Sequence, residues 1–176
     1  MRKKKVLAWH FVRFNRPLGY DATGLEPGYV NIWKAGLHGS LTVFDALQHA
    51  TSPCLCRVSM WGAIQQEDNK LLATHRQVLA SKDVSSELRL WGCWCVRQVW
   101  HLLTDERSRK AVETAEAYAV GKATSQELKA AGAVAWDAAR TVSGTVTWAA
   151  AGAAAWTTAR AIQKTELERR MLDLLG

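Results

Sequence analysis

Hydrophobic positions follow one rhythm in the first half of the chain and another in the second, and the change falls near residue 84. Short apolar runs at Val6–Phe14, Tyr29–Trp33 and Leu55–Met60 are separated by turn-forming residues. All three prolines (Pro17, Pro27, Pro53) and six of the twelve glycines fall within residues 1–62, so regular structure there is broken into short pieces. Val6-Leu-Ala-Trp-His-Phe-Val predicts a strand, with His10 half-buried on it. Leu55–Trp61 alternates: Cys56, Val58 and Met60 share one parity, Leu55, Ser59 and Trp61 the other. Thr42–Ala50 predicts a short helix capped by Ser40 or Thr42 and ended before Pro53. Lys70–Leu79 reads as a strand, with Gln65–Asn69 as the hairpin turn before it.

From Ser85 onward proline is absent and the period becomes helical. Leu88, Trp91, Cys95, Val99 and Leu102 recur at steps of three and four behind a cap at Ser85 or Ser86. Thr104 is the predicted cap of the next helix, whose first turn holds Asp105 and Glu106 where the helix dipole favours acids. Gly121 closes that helix and Thr124-Ser-Gln-Glu127 opens another. Nineteen alanines between 111 and 161 extend helix into the tail, since alanine is the best helix former. The fold class expected is α+β: a small mixed α+β domain over 1–83, then an all-helical region over 84–176.

The tail repeats a Trp-x-x-Ala pattern at Trp136, Trp148 and Trp156. Offsets of 12 and 8 turn a helix by about 120° and 80°, so these tryptophans do not line one stripe. Small residues between them allow close approach of another helix, and Ser143-Gly144 predicts a kink. Residues 141–159 carry no charge, yet alanine, threonine, serine and glycine dominate and Leu, Ile and Phe are absent. A soluble helix is therefore expected and a membrane span is not. With Arg140 and Arg160, the three tryptophans form an expected partner surface, including one for self-association.

Composition narrows the class further. Apolar residues are 48% of the 176 and charged residues 22%, which excludes a disordered or collagen-like chain. The net charge of +7 is localised: Arg2, Lys3, Lys4, Lys5, Arg13 and Arg16 precede any acid, and the rest holds 17 basic against 16 acidic residues. This leader is a solvated start or a site for an acidic or nucleic-acid partner. Trp9, Phe11 and Phe14 interleave with it, a pattern suited to stacking single-stranded bases. The apolar run after the leader is too short for a secretory signal, so a cytoplasmic location is expected.

Four cysteines stand as Cys54-Leu-Cys56 and Cys93-Trp-Cys95, too few and too close for a disulfide framework. On a helix Cys93 and Cys95 point about 200° apart and cannot grip one ion. Reduced core cysteines without zinc are expected. His38 lies in an expected loop and His49 late in the short helix, and no metal spacing joins either to Cys54. There is no glycine-rich phosphate loop, G-x-S-x-G elbow or H-E-x-x-H motif.

Trp9-His-Phe-Val12, Gly36-Leu-His-Gly-Ser40, Asp45-Ala-Leu-Gln-His-Ala50, Cys56-Arg-Val58, Gly62 and Lys70-Leu-Leu-Ala-Thr-His-Arg76 resemble, in order and spacing, a family of uncharacterised bacteriophage and prophage proteins. Members often carry counterparts of Leu90–Arg107 and of the Trp-x-Ala-Ala-Arg tail. The chain departs from the pattern at Gly39, where alanine is expected, and at the turn Gln65-Gln-Glu-Asp-Asn, which usually contains glycine. The resemblance implies a phage or mobile-element origin and no agreed activity. A second resemblance is to ADP-ribosyltransferases: His10, then Ser40-Leu-Thr42, then Gln65-Gln-Glu67. It implies NAD as substrate, His10 on its ribose and Glu67 stabilising an oxocarbenium ribose.

The function expected first is that of a phage-type accessory protein acting by macromolecular binding and without a cofactor. Its partner would be a host protein or protein–nucleic acid complex, such as a CRISPR effector that it inhibits. The alternatives are the NAD-using transferase, through His10, Ser40 and Glu67, and a single-stranded nucleic-acid binder.

Overall fold

The computed structural model describes residues 5–12, 36–142 and 152–175, with side chains for all of these except 136–142 and 152–158. The fold is mixed α+β, with the strands in the N-terminal part and most of the helices after them. The chain forms two compact units: residues up to Val84 together with those from Leu167 onward, and Ser85–Glu166.

The first unit is built on a four-stranded antiparallel sheet in the order β1-β3-β4-β2. Its strands are β1 (Val6–Val12), β2 (Leu37–Gly39), β3 (Cys54–Gln66) and β4 (Leu71–Asp83), with a five-residue helix α1 (Val43–Leu47) between β2 and β3. Thr42 caps α1 by accepting from the Asp45 amide at 3.1 Å, one of the two caps the sequence offers. β3 and β4 pair along their whole length from Cys54↔Asp83 to Gln66↔Leu71, closed by a tight turn in which the Glu67 amide donates to the Lys70 carbonyl at 2.9 Å. The ladder slips once between Arg57 and Val58 and again between Trp61 and Ile64, and such bulges bend and twist the strand that carries them. Gly62 sits in the second slip at φ +91°. A side chain there would be strained, and its Cβ would lie 2.1 Å from Thr74 Oγ1.

The sheet curls until its outer strands meet. Trp9 and Ser40 exchange backbone hydrogen bonds of 2.8 Å in each direction, which ties β1 to the residue after β2 and covers part of both edges. The approach is close at Gly39, where an added Cβ would stand 2.6 Å from Met60 Sδ. The alanine expected there from the phage-family pattern would require Met60 to move.

Ala8, Cys56, Val58, Met60, Leu71 and Ala73 form one buried cluster. Trp9, Leu55, Leu72 and Val43 are also fully buried, as are Leu167 and Met171 near the chain's end. Glu168 stands between these last two and uses both carboxylate oxygens: Oε1 accepts from Trp9 Nε1 and Oε2 from the Val43 amide, each at 2.7 Å. The indole donor of a fully buried tryptophan thus has its partner 159 residues away.

The second unit holds α2 (Ser85–Arg97), a short 3₁₀ turn (Trp100–Leu102), α3 (Glu106–Ala119), α4 (Ser125–Val142) and the first part of α5 (Gly152–Leu175). α2 stops at Arg97, five residues before the apolar stripe does, and Val99 and Leu102 are exposed. The cap of α3 is Asp105 and not Thr104. The Asp105 carboxylate accepts from the Arg107 amide at 2.8 Å and pairs with its guanidinium, which holds the acid down at about 2. Gly121 ends the helix at φ +74°, and Thr124 and Glu127 form a reciprocal capping box at the start of α4. Arg97 grips Glu116 through two nitrogens, at 3.0 and 2.7 Å, and its guanidinium lies 3.9 Å from the centre of the Trp100 ring. Trp91 donates to the Gln163 carbonyl at 3.1 Å. Trp9 is fully buried, whereas Trp61, Trp91 and Trp100 are only partly covered.

Candidate functional site

A cavity of about 290 Å³ opens in the first unit where β1, the end of β2 and α1 come together. The Trp9–Ser40 bridge that curls the sheet also builds this site, because it sets His10 beside a hydroxyl thirty residues away. Trp9, Phe11 and Ala46 supply apolar wall, and Gly39 supplies bare backbone. His10, His38, His49, Ser40 and Lys70 supply the polar groups. Ser40 is almost fully buried, at 2% exposure, and His49 follows α1, its amide bonded to the Ala46 carbonyl at 3.0 Å. Lys70 comes from the turn between β3 and β4.

The electrostatics have one sign. His10 is pushed down to about 3, first by burial and then by the charges of Arg76 and His38. His38 is also lowered, by burial first, then by Lys70, Arg76 and His49, with Glu67 opposing. Both imidazoles are therefore neutral near pH 7, and each offers one N–H donor and one acceptor nitrogen. Arg76 donates from Nη1 to the His38 carbonyl at 2.5 Å, which fixes a guanidinium against the strand that carries His38. Among the described residues no Asp or Glu lines the cavity. Lys70 and Arg76 with neutral imidazoles and a hydroxyl form an environment that attracts an anion and satisfies its oxygens with donors.

Of the three residues of the transferase resemblance, His10 and Ser40 meet in this cavity, while Glu67 does not line it. Glu67 sits in the β3–β4 turn with Oε2 3.0 Å from Lys70 Nζ. His38 lies on β2 and not in a loop, and it joins His10 and His49 rather than Cys54. Among the described residues no group of three His, Cys, Asp or Glu side chains is placed to hold a metal ion. Cys54, Cys56 and Cys93 are buried thiols, and burial together with Cys54 pushes Cys56 up to about 12.

Of the expected binding residues, Lys5 is exposed, with Nζ 5.0 Å from the centre of the Trp61 ring, which stacks on His75. Arg160 is exposed on α5. Arg2, Lys3, Lys4, Arg13 and Trp148, and the side chains of Trp136, Arg140 and Trp156, lie outside the described residues, as does Ser143-Gly144. No helix among the described residues is long and apolar enough to cross a membrane.

The sequence reading passed over the gathering of three of the chain's five histidines in one cavity. A trace of it is present in the sequence, in that His10, His38 and His49 all precede residue 50. Comparison with family models, with curated proteins and with solved structures finds no match to this chain.

Proposed function

We propose that this is a binding protein whose first unit captures a phosphate-bearing nucleotide group, presented by a nucleic acid or a protein–nucleic acid complex. The observation that carries the reading is the convergence of His10, His38, Ser40, His49 and Lys70 on one cavity that also has apolar wall and, among the described residues, no acid in its lining. A phosphate needs several donors and a cation, and a base or sugar needs apolar wall; this cavity offers both. At about 290 Å³ it stands at the bottom of the roughly 300–1,000 Å³ range of small-molecule sites, room for one nucleotide unit. Such a role fits the expected phage accessory protein that engages a host nucleoprotein such as a CRISPR effector.

The direct test is a titration of the full chain with adenosine 5′-monophosphate and with a short single-stranded oligonucleotide, followed through the imidazole NMR signals. His10, His38 and His49 should shift together and saturate, and Lys70→Met should weaken both ligands. Unmoved imidazole signals at saturating concentrations of both would overturn the reading.

The NAD-transferase reading retains one observation in its favour, the shared cavity of His10 and Ser40. Incubation with labelled NAD and host lysate decides it: transferred label that disappears with His10→Ala supports the enzyme, and absence of label removes it.

A further inference from the structure

We infer that Glu67 is a tethered counter-ion that sets the charge of the cavity, matching it to a singly charged phosphodiester in preference to a doubly charged phosphomonoester. This rests on the reading of the cavity as a site for a phosphate-bearing group, and it specifies which kind of phosphate.

Lys70 lines the cavity, and its ammonium lies 3.0 Å from Glu67 Oε2. The pair is built into the hairpin: the two residues are three apart and the Glu67 amide is bonded to the Lys70 carbonyl at 2.9 Å, so the turn returns the carboxylate to the ammonium. Both side chains are partly exposed, at 43% and 30%, so water screens the attraction and the pair can open for a ligand. Arg76 differs, being held by the His38 carbonyl. Lys70 and Arg76 bring two positive charges to this end of the sheet and Glu67 returns one negative charge. His10 and His38 are neutral beside them, so of these three charged side chains the cations outnumber the carboxylate by one.

A ligand phosphate is attracted by the cations and repelled by Glu67, and the repulsion scales with the ligand's charge. A phosphodiester carries one negative charge. A phosphomonoester, whose second pKa is about 6, carries nearly two above neutral pH. Glu67 therefore penalises the monoester about twice as strongly. A chain that must bind a nucleic-acid backbone amid abundant free nucleotides gains selectivity from such a group, because the backbone is the diester.

The test compares adenosine 5′-monophosphate with its phosphate methyl ester, which differ only by the cap on one oxyanion. Calorimetric titration of the full chain at pH 7.5 and low ionic strength would measure both in wild type, Glu67→Gln and Glu67→Lys. Glu67→Gln should tighten the monoester about three- to fivefold and the methyl ester about twofold or less. Glu67→Lys should continue the trend, and about 0.5 M salt should erase it. Equal shifts for both ligands, no shift, or a change that survives high salt would overturn the counter-ion role. Binding by wild type that Lys70→Met weakens while Glu67→Gln leaves it unaltered would remove this inference and leave the anion cavity standing. Failure of wild type to bind either ligand would remove both.

Discussion

The two units solve the problem of stability in opposite ways. In the first, β3 buries residues of both parities, Leu55 and Ser59 as well as Cys56, Val58 and Met60, and even a tryptophan, Trp9, is sealed from solvent. In the second, among the described side chains, only Cys93 is buried. There the helices are held by caps at Asp105 and Thr124, by the forked Arg97–Glu116 pair and by half-covered aromatics such as Trp100. The cause is residue size. Val, Leu, Met and Trp on a curled sheet remove large apolar areas from water, whereas alanine contributes helix propensity and little area. The cavity lies on the unit whose core is packed with large side chains, and Trp9 and Phe11 of that core are among its lining.

The largest expected effect that would break this contrast concerns the end of the chain. Leu167→Ala removes a fully buried side chain of the first unit and should cost about 2–5 kcal/mol in urea unfolding followed through Trp9. Val99→Ala, at a 47% exposed position of the second unit, should stay within about 0.5 kcal/mol. Equal costs would erase the distinction.

Acid should sharpen it next. His10 titrates near 3 in the folded chain against an ordinary 6.5. Between those values the unfolded chain binds the proton and the folded chain does not, so stability falls as pH drops through that window. The slope from this one group reaches at most about 1.4 kcal/mol per pH unit. His10→Gln should flatten the wild-type curve between pH 6 and pH 4, and an unaltered curve would contradict a neutral, half-buried His10.

The smallest effect lies in the second unit. Glu116→Gln should cost about 0.2–1 kcal/mol at low salt and less at high salt, because the pair it breaks is partly exposed. A loss comparable to that of Leu167→Ala would mean that the second unit depends on this pair as a core.

What the sequence disclosed was local. The hairpin turn after Gln65 and the capping box at Thr124 follow from residues within a few positions of one another, and pattern reading finds such features. Asp105 displaced Thr104 as a cap by a single position, a choice between two good capping side chains in which Asp105 also pairs with the Arg107 guanidinium. His38 went to a strand because β2 is only three residues long and forms against β4, a pairing with no periodic signature. His10 and Ser40 were paired through a resemblance, but the cavity also needed the edge-to-edge bridge that brought His49 and Lys70 to them. Leu167 and Met171 look in the sequence like the apolar stripe of any amphipathic helix, and nothing local reveals that Glu168 between them bonds to Trp9 of the first strand.

That last connection sets an order of events during synthesis. Eighty-two residues separate Val84 from Leu167, and at about 5–20 residues per second the ribosome needs roughly 4–16 s to make them. Through that interval the nascent sheet has its strands but lacks Leu167 and Met171, and neither the Trp9 indole nor the Val43 amide has yet met Glu168. The unit that begins first is completed last, and until then it offers a greasy surface to chaperones and to neighbouring nascent chains.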